Sequence, residues 1–114
     1  MTTAHPVTVG LFDADPDVLA EKAAALLGVP YVDVRIAAGT LGQMLTDPAF
    51  PTDVVIVEQR PGERVSIDYK IRVCRLADAR VIVVRDGVGE FADDVGSLMT
   101  PVETFGEAVA LIRG

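Results

Sequence analysis

Residues 54–57, Val-Val-Ile-Val, constrain the fold more than any other stretch of this sequence. This run of β-branched residues, bounded by Pro51 before it and by Pro61 and Gly62 after it, predicts a short strand that is buried on both faces. Such strands occur mainly in parallel sheets that helices cover. Glu58 stands where the strand ends, and open parallel sheets build their sites at the carboxyl ends of strands. Glu58 is therefore the first candidate for a functional residue.

The rest of the chain alternates between apolar runs of strand type and stripes of helical spacing. Strands are predicted at residues 7–12, 31–36, 54–57, 81–84 and 98–99. Helices are predicted at residues 17–27, 39–46, 66–77 and 104–113, with a short, weak helix at 90–95. Asp15 before Pro16 predicts the start of the first helix, and Gly28 predicts its end. The alternation predicts one α/β domain over residues 1–114, a three-layer α/β/α sandwich around a five-stranded parallel sheet.

Composition excludes several classes of function. The net charge of −7 argues against a nucleic-acid-binding surface, because phosphate binding requires clustered basic residues. The single cysteine, Cys74, excludes an internal disulfide and is expected in the core, and no Cys/His cluster suggests zinc. No apolar run is long enough for a membrane helix, and no secretory signal is visible at the start. We expect a cytoplasmic protein with no cofactor, no resident metal and no catalytic residues.

Four polar residues follow predicted strands that share one sheet. They are Asp13 after the first strand, Glu58 after the third, Arg85 after the fourth and Thr100 after the fifth. Because the carboxyl ends of parallel strands lie at one edge, we expect these side chains to converge. Ordinary structural roles remain open at this point: Asp13 as a helix cap, Glu58 paired with Arg60, and Arg85 as a surface ion pair.

Four stretches, in this order and spacing, resemble the receiver domain of bacterial two-component response regulators. They are residues 11–16 (LFDADP), 53–62 (DVVIVEQRPG), 79–84 (ARVIVV) and 98–102 (LMTPV), so the resemblance covers nearly the whole chain. It implies the flavodoxin-like fold of receivers, here with a shortened fourth helix at residues 90–95.

Receivers hold Mg²⁺ with two acidic residues after the first strand, and this chain has Asp13 followed by Ala14. It has Glu58 where receivers have the aspartate that accepts phosphate, and Thr100 where they have a lysine. Glu58 is one methylene longer than aspartate, and a misplacement of about 1 Å can cost on the order of 10²-fold in rate. The resemblance therefore implies a degenerate phosphorylation pocket.

Two more positions of that pocket depart from the family. Arg85 stands where receivers have the Ser or Thr that contacts the phosphoryl group, and Ser97 stands at the aromatic switch position. Arg85 would bring a permanent positive charge to the pocket. A bidentate pair of Arg85 with Glu58 or Asp13 would fill the space that Mg²⁺ and phosphate occupy in other receivers.

The resemblance thus predicts a pseudo-receiver, a signalling module that binds a protein partner or a linked effector domain without phosphorylation and that forms a homodimer. The predicted interaction face corresponds to the family's fourth helix, fifth strand and last helix, and comprises Phe91, Leu98, Val102 and Phe105. Two alternatives remain. One is a receiver still phosphorylated with Mg²⁺ on Glu58 or Asp13, and the other is a flavodoxin-like module that binds a small anion or a nucleotide.

Overall fold

The structure is a computed structural model that describes residues 6–60, 62–84 and 97–113. Nine elements follow one another along these residues. They are β1 (Val7–Asp13), α1 (Pro16–Leu27), β2 (Val32–Ala38), α2 (Leu41–Thr46), β3 (Val54–Glu58), α3 (Ile67–Leu76), β4 (Arg80–Val84), β5 (Met99–Val102) and α4 (Phe105–Arg113).

The strands form one parallel sheet in the order β2-β1-β3-β4-β5. This confirms the predicted fold class, with β3 at the centre as its β-branched run requires. Strand β5 is longer than the predicted 98–99, because pairing to β4 continues through Pro101 to Val102. A proline is tolerated there because β5 is an edge strand, where one side of the backbone needs no partner in the sheet.

Two apolar clusters lie on opposite faces of the sheet. Alternate residues of β3 feed them: Val55 and Val57 pack on one side, and Val54 and Ile56 on the other. Residues of α2 and α3 belong to the first cluster, and residues of α1 and α4 belong to the second. The sheet is therefore the middle of three layers, as expected for strands buried on both faces.

The helix ends match the capping residues in the sequence. Asp15 caps α1 by accepting hydrogen bonds from the backbone of Asp17 and Val18, and Gly28 ends that helix. Thr40 caps α2, and Ser66 caps α3. The side chain of Leu27, the last residue of α1, is 83% exposed, because the buried face of the helix is centred on Lys22 and Leu26.

The predicted weak helix at 90–95 lies outside the described residues, as do Arg85 and Phe91. Within the described residues, every helix falls short of the length and apolar character that a membrane span needs. Cys74 lies in the core as predicted, with 1% of its surface exposed.

Candidate functional site

Two acidic residues end neighbouring central strands and lie side by side. Asp13 is the last residue of β1 and pairs in register with Glu58, the last residue of β3. Both are buried, Asp13 with 0% and Glu58 with 6% of its surface exposed. Two carboxylates removed from water at close range repel one another, so their charges require compensation.

The first compensating charge comes from α1. The Lys22 ammonium donates to Asp13 Oδ2 at 2.9 Å and to Glu58 Oε1 at 2.6 Å. Lys22 lies on the inward face of α1, one turn before the buried Leu26, so its stem runs through apolar surroundings before its charged end reaches the strand ends. Its ammonium also lies 5.4 Å from the centroid of the Phe105 ring, at the start of α4. Lys22 therefore connects β1, β3 and α4.

The second compensating charge comes from the loop after β3. Arg60 binds Asp13 with two parallel hydrogen bonds, from Nε to Oδ1 at 2.9 Å and from Nη2 to Oδ2 at 2.8 Å. Its Nη1 atom lies 3.2 Å from Glu58 Oε2. Bidentate pairing of this kind fixes geometry as well as charge. The Arg60 side chain stays 30% exposed and forms the outer surface of the group.

We call Asp13, Lys22, Glu58 and Arg60 the charge cluster. Burial by itself would raise the pKa of Asp13, but hydrogen bonds from Arg60, from the backbone of Asp15 and from Lys22 outweigh burial and lower that pKa to about 2. The hydrogen bond to Asp13 raises the pKa of Arg60 further above its ordinary value. Asp13 is therefore ionised at neutral pH.

The charge cluster does not fit a magnesium ion. Mg²⁺ requires hard oxygen ligands in near-octahedral geometry. Both oxygens of Asp13 and both oxygens of Glu58 are already within contact distance of Lys22 or Arg60. Among the described residues no group of three or more His, Cys, Asp or Glu side chains is placed to hold a metal. A divalent ion would have to displace two cations of the protein itself.

A second buried lysine fixes the loop that carries Arg60. Lys70 of α3, with 1% of its surface exposed, donates to Gln59 Oε1 at 2.8 Å and to Glu63 Oε1 at 2.5 Å, and its ammonium lies 4.2 Å from the centroid of the Phe12 ring. The other oxygen of Glu63 accepts a hydrogen bond from the backbone of Arg60 at 2.6 Å. These contacts hold the start of the loop and so position the Arg60 guanidinium.

The other predicted pocket residues do not join the charge cluster. Ala14 is exposed beside it, and its methyl side chain offers no ligand atom. At the edge of the sheet that carries the charge cluster, Glu58 pairs with Val84, and Val84 pairs with Val102. Thr100 pairs with Ile82, two residues earlier along these strands, so the structure does not bring Thr100 to that edge. The longer β5 causes this shift. Ser97 is exposed just before β5, and Arg85 lies outside the described residues.

The predicted interaction face is largely internal where the structure describes it. Val102 is 6% exposed and belongs to the core, which corrects its assignment to a surface. Leu98 and Phe105 are half-buried and pack against the two apolar clusters. Phe91 lies outside the described residues. Val102 is buried because β5 is longer than predicted, which places this residue within the sheet.

Sequence reasoning missed Lys22, although the sequence contains a signal for it. Val18, Lys22 and Leu26 follow one another at helical spacing, so Lys22 lies in the middle of an apolar stripe. Lys70 lies in the same way between Ile67 and Cys74 on the buried stripe of α3. A lysine at such a position is buried only if it is paired, so each one indicates a partner carboxylate nearby.

Comparisons with known proteins agree with this geometry at the level of fold. The chain superimposes on the isolated REC domain of RcsB from Salmonella enterica serovar Typhimurium, solved with the phosphomimetic BeF3−, with a TM-score of 0.61 and 16% identity over 96% of this chain and 89% of that one. It also matches a CheY-like response regulator protein from Mesorhizobium loti, with a TM-score of 0.52 and 16% identity over 95% and 96% of the two chains. The fold is that of a receiver domain. No protein-family model and no curated protein matches the sequence.

Proposed function

We propose that this chain is a pseudo-receiver, a regulatory domain that acts through protein–protein contacts and without phosphorylation. The receiver fold supports a role in response-regulator signalling. The charge cluster is the observation that carries the rest of the proposal, because it occupies the strand ends where receivers perform their chemistry.

The charges of the cluster balance without any added ion. Asp13 and Glu58 contribute two negative charges, and Lys22 and Arg60 contribute two positive charges at 2.6–3.2 Å. Phosphoryl transfer needs a metal ion or an equivalent to neutralise charge on the transferring group. A divalent ion entering this pocket would meet two cations and no uncompensated carboxylate.

The acceptor position is equally unsuited to phosphoryl transfer. A carboxylate nucleophile must present a free oxygen to the phosphorus atom, in line with the leaving group. Lys22 contacts Oε1 of Glu58, and Arg60 lies 3.2 Å from Oε2. Attack by Glu58 would require loss of at least one of these contacts, and attack by Asp13 would require loss of the bidentate pair with Arg60. In either step, a cation of the charge cluster would lose contacts to one of the two carboxylates that it bridges.

A direct test is incubation with acetyl phosphate and Mg²⁺, followed by intact-mass measurement. A receiver with an aspartate acceptor serves as the positive control. We expect no phosphoryl adduct on this chain and no effect of acetyl phosphate on its self-association or partner binding. An adduct that disappears in the Glu58→Gln or Asp13→Asn variant would refute the proposal and establish the phosphorylated alternative.

A further inference from the structure

A pocket of about 230 Å³ lies at the carboxyl ends of the strands, beside the charge cluster. Its lining comes from Ala14 after β1, from residues 39–41 between β2 and the start of α2, and from residues 63–65 before α3. Phe12 of β1 and Lys70 of α3 complete it, and no residue of the charge cluster belongs to the lining. In open parallel sheets, ligands bind outside the carboxyl ends of the strands, so the pocket lies where such sheets place a ligand.

Most of the pocket surface is apolar. Phe12, Leu41 and Val65 contribute their side chains to it, and Val65 is 37% exposed. Phe12 is 3% exposed, and the Lys70 ammonium lies 4.2 Å from the centroid of its ring. The volume is below the roughly 300–1,000 Å³ typical of ligand sites, so the pocket suits a small molecule with an apolar body.

Two of the charged residues at the pocket already neutralise each other. Lys70 donates to Glu63 Oε1 and to Gln59 Oε1, and Glu63 Oε2 accepts a hydrogen bond from the backbone of Arg60. Neither Lys70 nor Glu63 therefore needs a charge from a ligand.

The polar groups that stay available at the pocket are donors. Arg64 is exposed and forms no ion pair or side-chain hydrogen bond with the rest of the described chain. Thr40 Oγ1 accepts a hydrogen bond from the backbone of Gln43 at 3.1 Å, which leaves its hydroxyl hydrogen available to donate. A guanidinium pairs with a carboxylate through two parallel hydrogen bonds. A phosphate group fits less well, because it carries about two negative charges and Glu63 stands next to Arg64.

We propose that this pocket binds a small organic acid, whose aromatic or branched aliphatic body packs on the apolar wall and whose carboxylate pairs with Arg64. The bound acid also contacts Glu63, which holds the backbone of Arg60 and so helps to position a member of the charge cluster. Binding is therefore expected to change the environment of Arg60. The inference rests on the function proposed above, because it gives a domain that works without phosphorylation an input of another kind.

The test is an amide-resolved NMR titration of the chain with phenylacetate and with isocaproate, one aromatic and one branched aliphatic acid. Phenylacetamide, which has no charge, and acetate, which has no apolar body, are the matched comparisons. We expect at least one of the two acids to give saturable shifts of the amides of residues 39–41 and 63–65. Phenylacetamide should bind about tenfold more weakly than phenylacetate, because the charge-assisted hydrogen bonds are lost, and acetate should not saturate.

An arginine variant identifies the group that binds the carboxylate. Arg64→Gln is expected to weaken phenylacetate binding about tenfold and to leave phenylacetamide binding unchanged. The matched control is Arg80→Gln, which removes an exposed arginine outside the pocket and changes the net charge equally. This control is expected to bind phenylacetate like the unaltered chain.

Three results would overturn the inference. The first is the absence of saturable shifts at the pocket with both acids. The second is equal affinity for phenylacetate and phenylacetamide, because the carboxylate would then contribute nothing. The third is an equal loss of phenylacetate affinity in Arg64→Gln and Arg80→Gln, which would indicate a general effect of charge and not a pairing at the pocket.

The outcomes also separate this inference from the function on which it rests. A chain that binds neither acid and takes no phosphoryl group from acetyl phosphate would overturn the pocket and leave phosphorylation independence standing. A phosphoryl adduct on a chain that binds the acids would refute phosphorylation independence and leave the pocket standing. Saturable binding that leaves the Arg60 amide unshifted would overturn the link between the pocket and the charge cluster.

Discussion

Replacing Lys22 by methionine removes the buried cation and keeps an unbranched side chain that is one atom shorter. In the folded protein the Lys22 ammonium lies 2.9 Å from Asp13 and 2.6 Å from Glu58, and the side chains of these acids are 0% and 8% exposed. The variant would leave two buried carboxylates with Arg60 as their remaining partner in the cluster. Removing one member of a buried ion pair typically costs about 3–5 kcal/mol, because the charge left behind has lost its compensation.

A loss of this size is a large part of the total stability of a domain, which is about 5–15 kcal/mol. Urea unfolding followed by circular dichroism at pH 7 measures the free energy of unfolding of the variant. Because Lys22→Met could unfold a marginal domain completely, the double variant Lys22→Met/Glu58→Gln is measured beside it. Neutralising Glu58 removes one uncompensated charge, so the double variant should be more stable than Lys22→Met alone by about 1–3 kcal/mol.

If Lys22→Met lowered the free energy of unfolding by less than about 1 kcal/mol, this reasoning would be refuted. A loss that small is typical of an ion pair on the protein surface, not of a buried one. An equal cost of Lys22→Met in the unaltered chain and in the Glu58→Gln background would show that Lys22 does not stabilise the fold through Glu58, which would contradict the role given to their 2.6 Å contact. Glu58→Gln alone is the matched control for the neutralised carboxylate.

Further predictions concern other buried groups. The pKa of Asp13 is lowered from 3.8 to about 2, so ionised Asp13 stabilises the fold by about 2 kcal/mol above pH 4, and this contribution is lost as the pH falls from 4 to 2. Urea unfolding at several pH values should show this loss in the unaltered chain and a smaller loss in Asp13→Asn. Burial raises the pKa of the Cys74 thiol to about 11, so maleimide at neutral pH should label it only after unfolding, and rapid labelling of the folded chain would contradict its core position. Lys70→Met should destabilise the domain by about 3–5 kcal/mol by leaving Glu63 unpaired in its half-buried position, as measured by urea unfolding; a loss below about 1 kcal/mol would show that Glu63 finds water instead.

The fold was predictable because local signals agree with one another. The β-branched runs predicted the central strands, and Asp15 and Gly28 predicted the ends of the first helix, which the structure confirms. The proximity of Asp13 to Glu58 follows from parallel pairing of adjacent strands, provided that the first and third strands are neighbours. That sheet order is a long-range property, and no single stretch of sequence encodes it.

The partners of those acids were less predictable. Lys22 is separated from Glu58 by 36 residues and reaches it through a long stem, whose direction depends on how α1 packs against the sheet. Arg60 is placed by Glu63 and Lys70, which fix its loop. Sequence reasoning assigned the compensating charge to Arg85 because that residue follows the strand next to β3. A direct role for Arg85 stays a prediction, since it lies outside the described residues.

We propose that the protein's own cations, Lys22 and Arg60, close the pocket to metal and phosphoryl groups. The most direct measurement is an amide-resolved NMR titration of the chain with Mg²⁺ and then with BeF3−. We predict that the amides of Asp13, Glu58 and Arg60 keep their positions through both additions. Saturable shifts of these amides that require Mg²⁺ would contradict the claim, because they would show that Lys22 and Arg60 give way to a divalent ion.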